Sequence, residues 1–181
     1  DVAFYGQPEG LYVILQKAQE NAAKEADLSW RKRQKLDITD GMERPDAFVC
    51  GDITNDGRDD LILAAQDGVY VIRQKEDGQL SEPVKYPAST KIWRLLLADL
   101  DGDDINDLIM QADDSDKPVY VRFGMESGQL GPTIKYFIEW PRKIRADNID
   151  DQAGAEILTV EYRSSRLIGY KYRGTDTSDT E

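Results

Sequence analysis

Four segments of the chain share one alternation of apolar and polar positions: GLYVILQ from Gly10, GVYVIRQ from Gly68, PVYVRFG from Pro118 and RLIGYKY from Arg166. Their β-branched and aromatic residues fit half-buried strands, whose side chains point to opposite faces in turn. Tyr12, Tyr70 and Tyr120 hold matching places in three of them and are expected to pack between sheets. A short apolar strand precedes each of the last three: DLILAA from Asp60, DLIMQA from Asp107 and EILTVEY from Glu156. Residues 47–51, 95–98 and 143–146 read as a further strand ahead of each. After a Gly turn come GQLSEPVKY from Gly78 and GQLGPTIKY from Gly128, nearly identical and 50 residues apart. Proline near the start of these last strands suits a sheet edge, where a missing N–H costs little. The unit is thus four short antiparallel strands separated by glycine and acidic turns.

Between the first and second strands lies an acidic loop. Its clearest copy is DLDGDDINDLI, residues 99–109, with Asp99, Asp101, Asp103 and Asp107 at loop positions 1, 3, 5 and 9. Four carboxylates at that spacing repel one another unless a cation sits between them. Hard oxygen ligands and high charge favour calcium over zinc or copper. The pattern recurs as DITNDGRDDLI, residues 52–62, 47 residues earlier, and a weaker trace starts at Asp147, 48 residues later. Repetition at this period predicts a repeat architecture.

Residues 1–40 read as a unit lacking its first strand, 45–90 and 91–139 as complete units, and 142–173 as a unit lacking its fourth strand. A radial array of such sheets is an all-β propeller, here of about three and a half blades. The expectation is a segment of a larger propeller whose terminal edges pair with the rest of the parent chain. In the same sense, Asp1-Val2-Ala3-Phe4 matches Asp60-Leu61-Ile62-Leu63 and reads as the end of another loop, as in an excised or processed piece. The stretch Gln16 to Ala26 lacks an apolar stripe and reads as a solvated hairpin insertion. Residues 174–181 read as a polar, disordered tail.

LLLADLDGDDINDLIM, from Leu95, and FVCGDITNDGRDDLIL, from Phe48, resemble the FG-GAP/VCBS repeat family, relatives of the integrin α-subunit propeller. The resemblance implies calcium between the first and second strands of a blade. In the second loop the side chains of Asp99, Asp101, Asp103 and Asp107 would bind it, with the backbone carbonyl of Ile105 at position 7. In the first loop Asp52, Asp56 and Asp60 match, Thr54 offers a weaker hydroxyl at position 3 with Asn55 able to substitute, and the carbonyl of Arg58 completes the set. In the third loop only Asp147 and Asp151 fall in register, with Ile149 at position 3 and Glu156 displaced by one extra residue. An EF-hand is excluded: position 12 of the second loop is Met110, and the flanks are strand-like.

Composition narrows the function. Apolar residues make up 40% and charged residues 32%, which fits a soluble globular protein. The apolar runs are too short to insert in a membrane. A net charge of −12 argues against nucleic-acid binding. The chain has no histidine, which removes the commonest general base and transition-metal ligand. The lone Cys50 lies in an apolar run and is expected to be buried and inert. Trp93 and Trp140, 47 residues apart, are expected at equivalent positions, as packing residues or as platforms for sugar or peptide, with Arg94, Arg142 and Arg145 nearby. The resulting expectation is a non-enzymatic, calcium-stabilised scaffold or recognition module of an exported protein (extracellular, cell-surface or periplasmic) that binds protein or glycan. The alternatives are a propeller domain of an extracellular enzyme such as a polysaccharide lyase, and a spacer with no ligand.

Overall fold

The computed structural model describes residues 2–6, 10–14, 34–139 and 141–174. The segment expected as a hairpin insertion, Trp140, and all of the tail but Gly174 lie outside them. Four antiparallel sheets follow one another along the chain. The first holds β1 (Val2–Gly6), β2 (Gly10–Ile14) and β3 (Gln34–Leu36). The second holds β4 (Phe48–Gly51), β5 (Asp60–Ala65), β6 (Gly68–Ile72) and β7 (Val84–Pro87), entered through a 3₁₀ turn at Pro45–Ala47. The third holds β8 (Ile92–Ala98), β9 (Asp107–Ala112), β10 (Val119–Arg122) and β11 (Ile134–Tyr136). The fourth holds β12 (Pro141–Asp147), β13 (Glu156–Glu161) and β14 (Leu167–Lys171). Within each sheet, strands pair in sequence order. Among the described residues no helix is long and apolar enough to cross a membrane.

The sheets stack as propeller blades, and the alternation of side chains shows why. Leu63 on β5 packs backward with Leu11, Val13 and Leu36 of the first sheet, while its neighbour Ile62 packs forward with Leu95 and Leu108 of the third. On β9, Leu108 and Met110 point back to the second sheet, whereas Ile109 points on to Ile144 and Ile157 of the fourth. β5 and β9 are therefore buried on both faces and supply a core to either side. The first strands meet inside the array, β8 lying against both β4 and β12. Tyr12 and Tyr120 are fully buried and Tyr70 half-buried, as blade packing requires.

Two expectations need correction. Cys50 is exposed, because β4 is a short inner strand and Cys50 lies on its uncovered side. What cover it has, with the Asp59 carboxylate, holds its thiol above the ordinary value, which disfavours the reactive thiolate. The tryptophan spacing is also misleading. β8 shifts register between Ile92 and Arg94, and β12 between Pro141 and Lys143. Arg142, not Trp140, therefore holds the place in β12 that Trp93 holds in β8.

Candidate metal centre

The second acidic loop is tied down from within. Gly102 and Asp104 take positive φ, 81° and 66°, which turns the backbone N–H groups inward. One carboxylate oxygen of Asp99 accepts from Gly102 N (2.6 Å) and Asp103 N (3.2 Å), and the other from Asp104 N (2.9 Å). Asp103 accepts from Ile105 N at 2.9 Å. Asp107 opens β9 and is buried, 1% exposed. Its two oxygens accept from Leu100 N (2.8 Å) and Gly124 N (2.9 Å), so one carboxylate joins the loop, the second strand and the end of the third.

Carboxylate oxygens of Asp99, Asp101 and Asp107 lie within 4.8 Å of one another. Burial pushes the Asp107 carboxyl up to about 7; its two backbone N–H donors oppose the shift, and the charges of Asp101 and Asp103 add to it. Burial also raises Asp101, with Asp103 and Asp99 adding repulsion. Such a converging, mutually repelling oxygen set fits a hard divalent cation. Asp103 and the Ile105 carbonyl lie in the same loop but outside this trio.

The first loop has the same backbone with its glycine moved: Asn55 has φ 54° and Gly57 φ 80°. Asp52 accepts from Asp56 N (3.1 Å) and Gly57 N (2.7 Å). Its carboxylates do not converge in the same way. Asp56 is engaged by Arg58, through the backbone N–H at 3.0 Å and the guanidinium at 2.5 Å. Arg58, expected to offer only its carbonyl, thus brings its side chain to the loop as well. Asp60 is fully buried and accepts from Gln74 N at 2.9 Å. Its other oxygen and the Thr54 hydroxyl are buried and make no tight hydrogen bond, but Thr54 and the Ile53 N–H lie near enough to favour the Asp60 carboxylate.

The third loop must be realigned. Asp60 pairs with Gly51, Asp107 with Ala98 and Glu156 with Asp147. Asp147 is therefore the last residue of its first strand, not the first of its loop. The loop has the same length as the others, with Asn148 at position 1, Asp150 at 3, Gln152 at 5 and Glu156 at 9. Asp151, φ 57°, then matches Asn55 and Gly102 at position 4. Glu156 is buried and accepts from Ile149 N at 3.0 Å, as Asp107 does from Leu100 N. The three loops also touch. Asn106 Nδ2 donates to Asp52 O (2.9 Å), and Ala155 N to Asp99 O (2.7 Å).

Residues 52–110 match the family model of the FG-GAP-like repeat. The match runs from the first acidic loop through the second and into β9, the part of the chain whose loop pattern is clearest. Over 88% of its length the chain is also similar to part of the Photorhabdus luminescens Tc holotoxin pore structure, at 14% identity and a TM-score of 0.50. It spans only 8% of that chain, and at this identity the likeness concerns the fold alone. A comparison with curated proteins finds no match.

A second feature lies where the first strands of the blades begin. A cavity of about 530 Å³ is lined by Arg44, Trp93, Arg94, Gln111, Asp113 and Arg142 among others. The Arg44 guanidinium lies 4.2 Å from the Trp93 ring centroid. Arg94 pairs with Asp46 at 2.5 Å and donates to Gln111 at 3.2 Å. The bulges in β8 and β12 bring Trp93 and Arg142 to this cavity from neighbouring blades.

Proposed function

We propose that the chain is a calcium-stabilised β-propeller module of an exported protein, recognising a protein or glycan without catalysing a reaction. The observation that carries this reading is the convergence of Asp99, Asp101 and Asp107 beside a buried strand start. Asp99, Asp101 and Asp107 would hold the ion, joined by Asp103 and the Ile105 carbonyl. In the first loop, the buried oxygens of Asp60 and Thr54 would contribute, with Asp52, Asp56 and the Arg58 carbonyl. The role is structural: the ion offsets carboxylate repulsion and fixes the turn between two strands of a blade. Binding only to the folded state at a hundredfold excess over Kd contributes about 2.7 kcal/mol. Millimolar calcium outside the cell would fill such a site, which supports the exported setting. The cavity sets Arg44, Arg94 and Arg142 against Asp46 and Asp113, a small positive excess on a chain of net charge −12 that would suit a partner bearing a single carboxylate beside an apolar ring.

The test is thermal unfolding in EDTA and across a calcium titration, with magnesium as control. A calcium-specific rise in Tm is expected. Asp101→Asn removes one repelling carboxylate that anchors no strand. It should leave the EDTA midpoint unchanged or slightly higher and weaken calcium binding by about tenfold, as fewer charged ligands do. No calcium response in the parent chain would refute the metal reading.

A further inference from the structure

The third acidic loop already contains a cation. Lys171, the last residue of β14, stands in register with Glu156 across the β13–β14 pair. Its ammonium lies 2.7 Å from Asp150 Oδ1 and 2.7 Å from Glu156 Oε1. These carboxylates hold positions 3 and 9, the places of Asp101 and Asp107 in the converging trio of the second loop. Glu156 is buried, and its Oε1, which makes no well-angled hydrogen bond, meets the lysine charge as an ion pair.

The rest of the loop has changed to match. Positions 1 and 5, aspartates in both other loops, are here the amides Asn148 and Gln152. The loop thus presents two inward carboxylates where the second loop has four, and fewer charged ligands weaken calcium binding. Asn148 also closes the turn in another way, donating from Nδ2 to the Gln152 carbonyl at 2.5 Å. The positions matching Lys171 in the two preceding blades carry Arg73 and Phe123. The Arg73 guanidinium turns away to Gly128 O of the next blade at 2.8 Å. A lysine at this strand end and the loss of two loop carboxylates therefore occur together, in one blade of the three compared.

We propose that the Lys171 ammonium is the resident cation of the third loop and closes that blade without metal. A tethered lysine has no dissociation equilibrium, so this blade keeps its turn at calcium concentrations that would empty the second loop. The three loops then form a series: an open carboxylate trio, an aspartate engaged by Arg58, and a loop whose two inward carboxylates share one internal cation.

The experiment measures the unfolding equilibrium of the full chain in EDTA, so it stays informative even if the second loop binds no calcium. Lys171→Met keeps the apolar stem and removes the charge. The expected result is an unfolding constant raised at least about tenfold, within the range of coupling found in tight charge networks. Adding Asp150→Asn and Glu156→Gln to Lys171→Met should recover most of the loss, because a neutral loop needs no cation. If Lys171→Met does not fold, the triple variant should still fold. Equal stability of Lys171→Met and the parent would overturn the proposal. So would a triple variant no better than Lys171→Met alone, since Lys171 would then act only through packing.

Discussion

At the scale of single residues, the third loop is a set of groups whose titration is set by one another. The Ile149 N–H and the Lys171 ammonium hold Glu156 below its ordinary value, and Lys171 does the same for Asp150. Lys171 is correspondingly raised by both carboxylates. The sign follows from linkage. As pH falls, the unfolded chain takes up protons on these carboxylates before the folded one does. Their contribution to stability is therefore full above the ordinary carboxylate range of about 4 and is lost as pH drops below it. The lysine contribution is full below its ordinary value of about 10.4 and is lost as pH rises beyond it. The stability gap between the parent and Lys171→Met should therefore be a plateau from about pH 6 to 9 that shrinks toward zero below about pH 3. Urea midpoints for both chains across that range would show it. A gap independent of pH would mean that the lysine stem, not its charge, makes the difference.

At the scale of elements, strand register decides what each loop residue can do. The strands were legible in the sequence because β5 and β9 begin with almost the same letters and sit at equivalent places in their blades. The first two loops were legible for the same reason. The third was not, because matching Asp147 to Asp99 aligns like with like, whereas the pleat aligns Asp147 with Ala98. A slip of one residue exchanges inward and outward side chains, so Asp150 was passed over and Glu156 stood one residue out of register. Lys171 was illegible altogether, since only the β13–β14 pairing brings it to the loop. Loop contacts between blades were equally hidden, and they give the next prediction. Gly154 has φ 81°, and a Cβ there would lie 2.6 Å from Leu100 O in the neighbouring loop. Gly57 has a similar φ of 80° but open space around it. Gly57→Ala should cost about 1 kcal/mol of backbone strain, and Gly154→Ala at least about 2 kcal/mol, since backbone must also move. Gly154→Ala should also weaken calcium binding by the second loop, because it disturbs the Ala155 N bond to Asp99 O. Chemical denaturation with and without calcium would separate the two variants; equal costs would mean that the loops do not support one another.

At the scale of the whole molecule, net charge and loop placement make one argument. The chain carries −12, and its acidic loops share one side of the array because each joins the first and second strands of its blade. Loops in contact through Asn106 and Ala155 cannot be treated as isolated turns, since repulsion in one is felt by the next. Stability in a propeller adds blade and interface contributions, so relief of repulsion at one loop should register in the unfolding of the array. Screening relieves the same repulsion without specificity, the Debye length shrinking from about 10 Å at 0.1 M salt to about 3 Å at 1 M. In EDTA, raising sodium chloride should therefore raise Tm. Saturating calcium should flatten that dependence, because the charges that salt would screen are already neutralised. Lys171→Met should steepen it in EDTA, having lost its internal cation. Tm measured over a grid of salt and calcium for the two chains distinguishes charge neutralisation from a general ionic effect. Parallel salt slopes with and without calcium would place any calcium stabilisation outside the acidic loops.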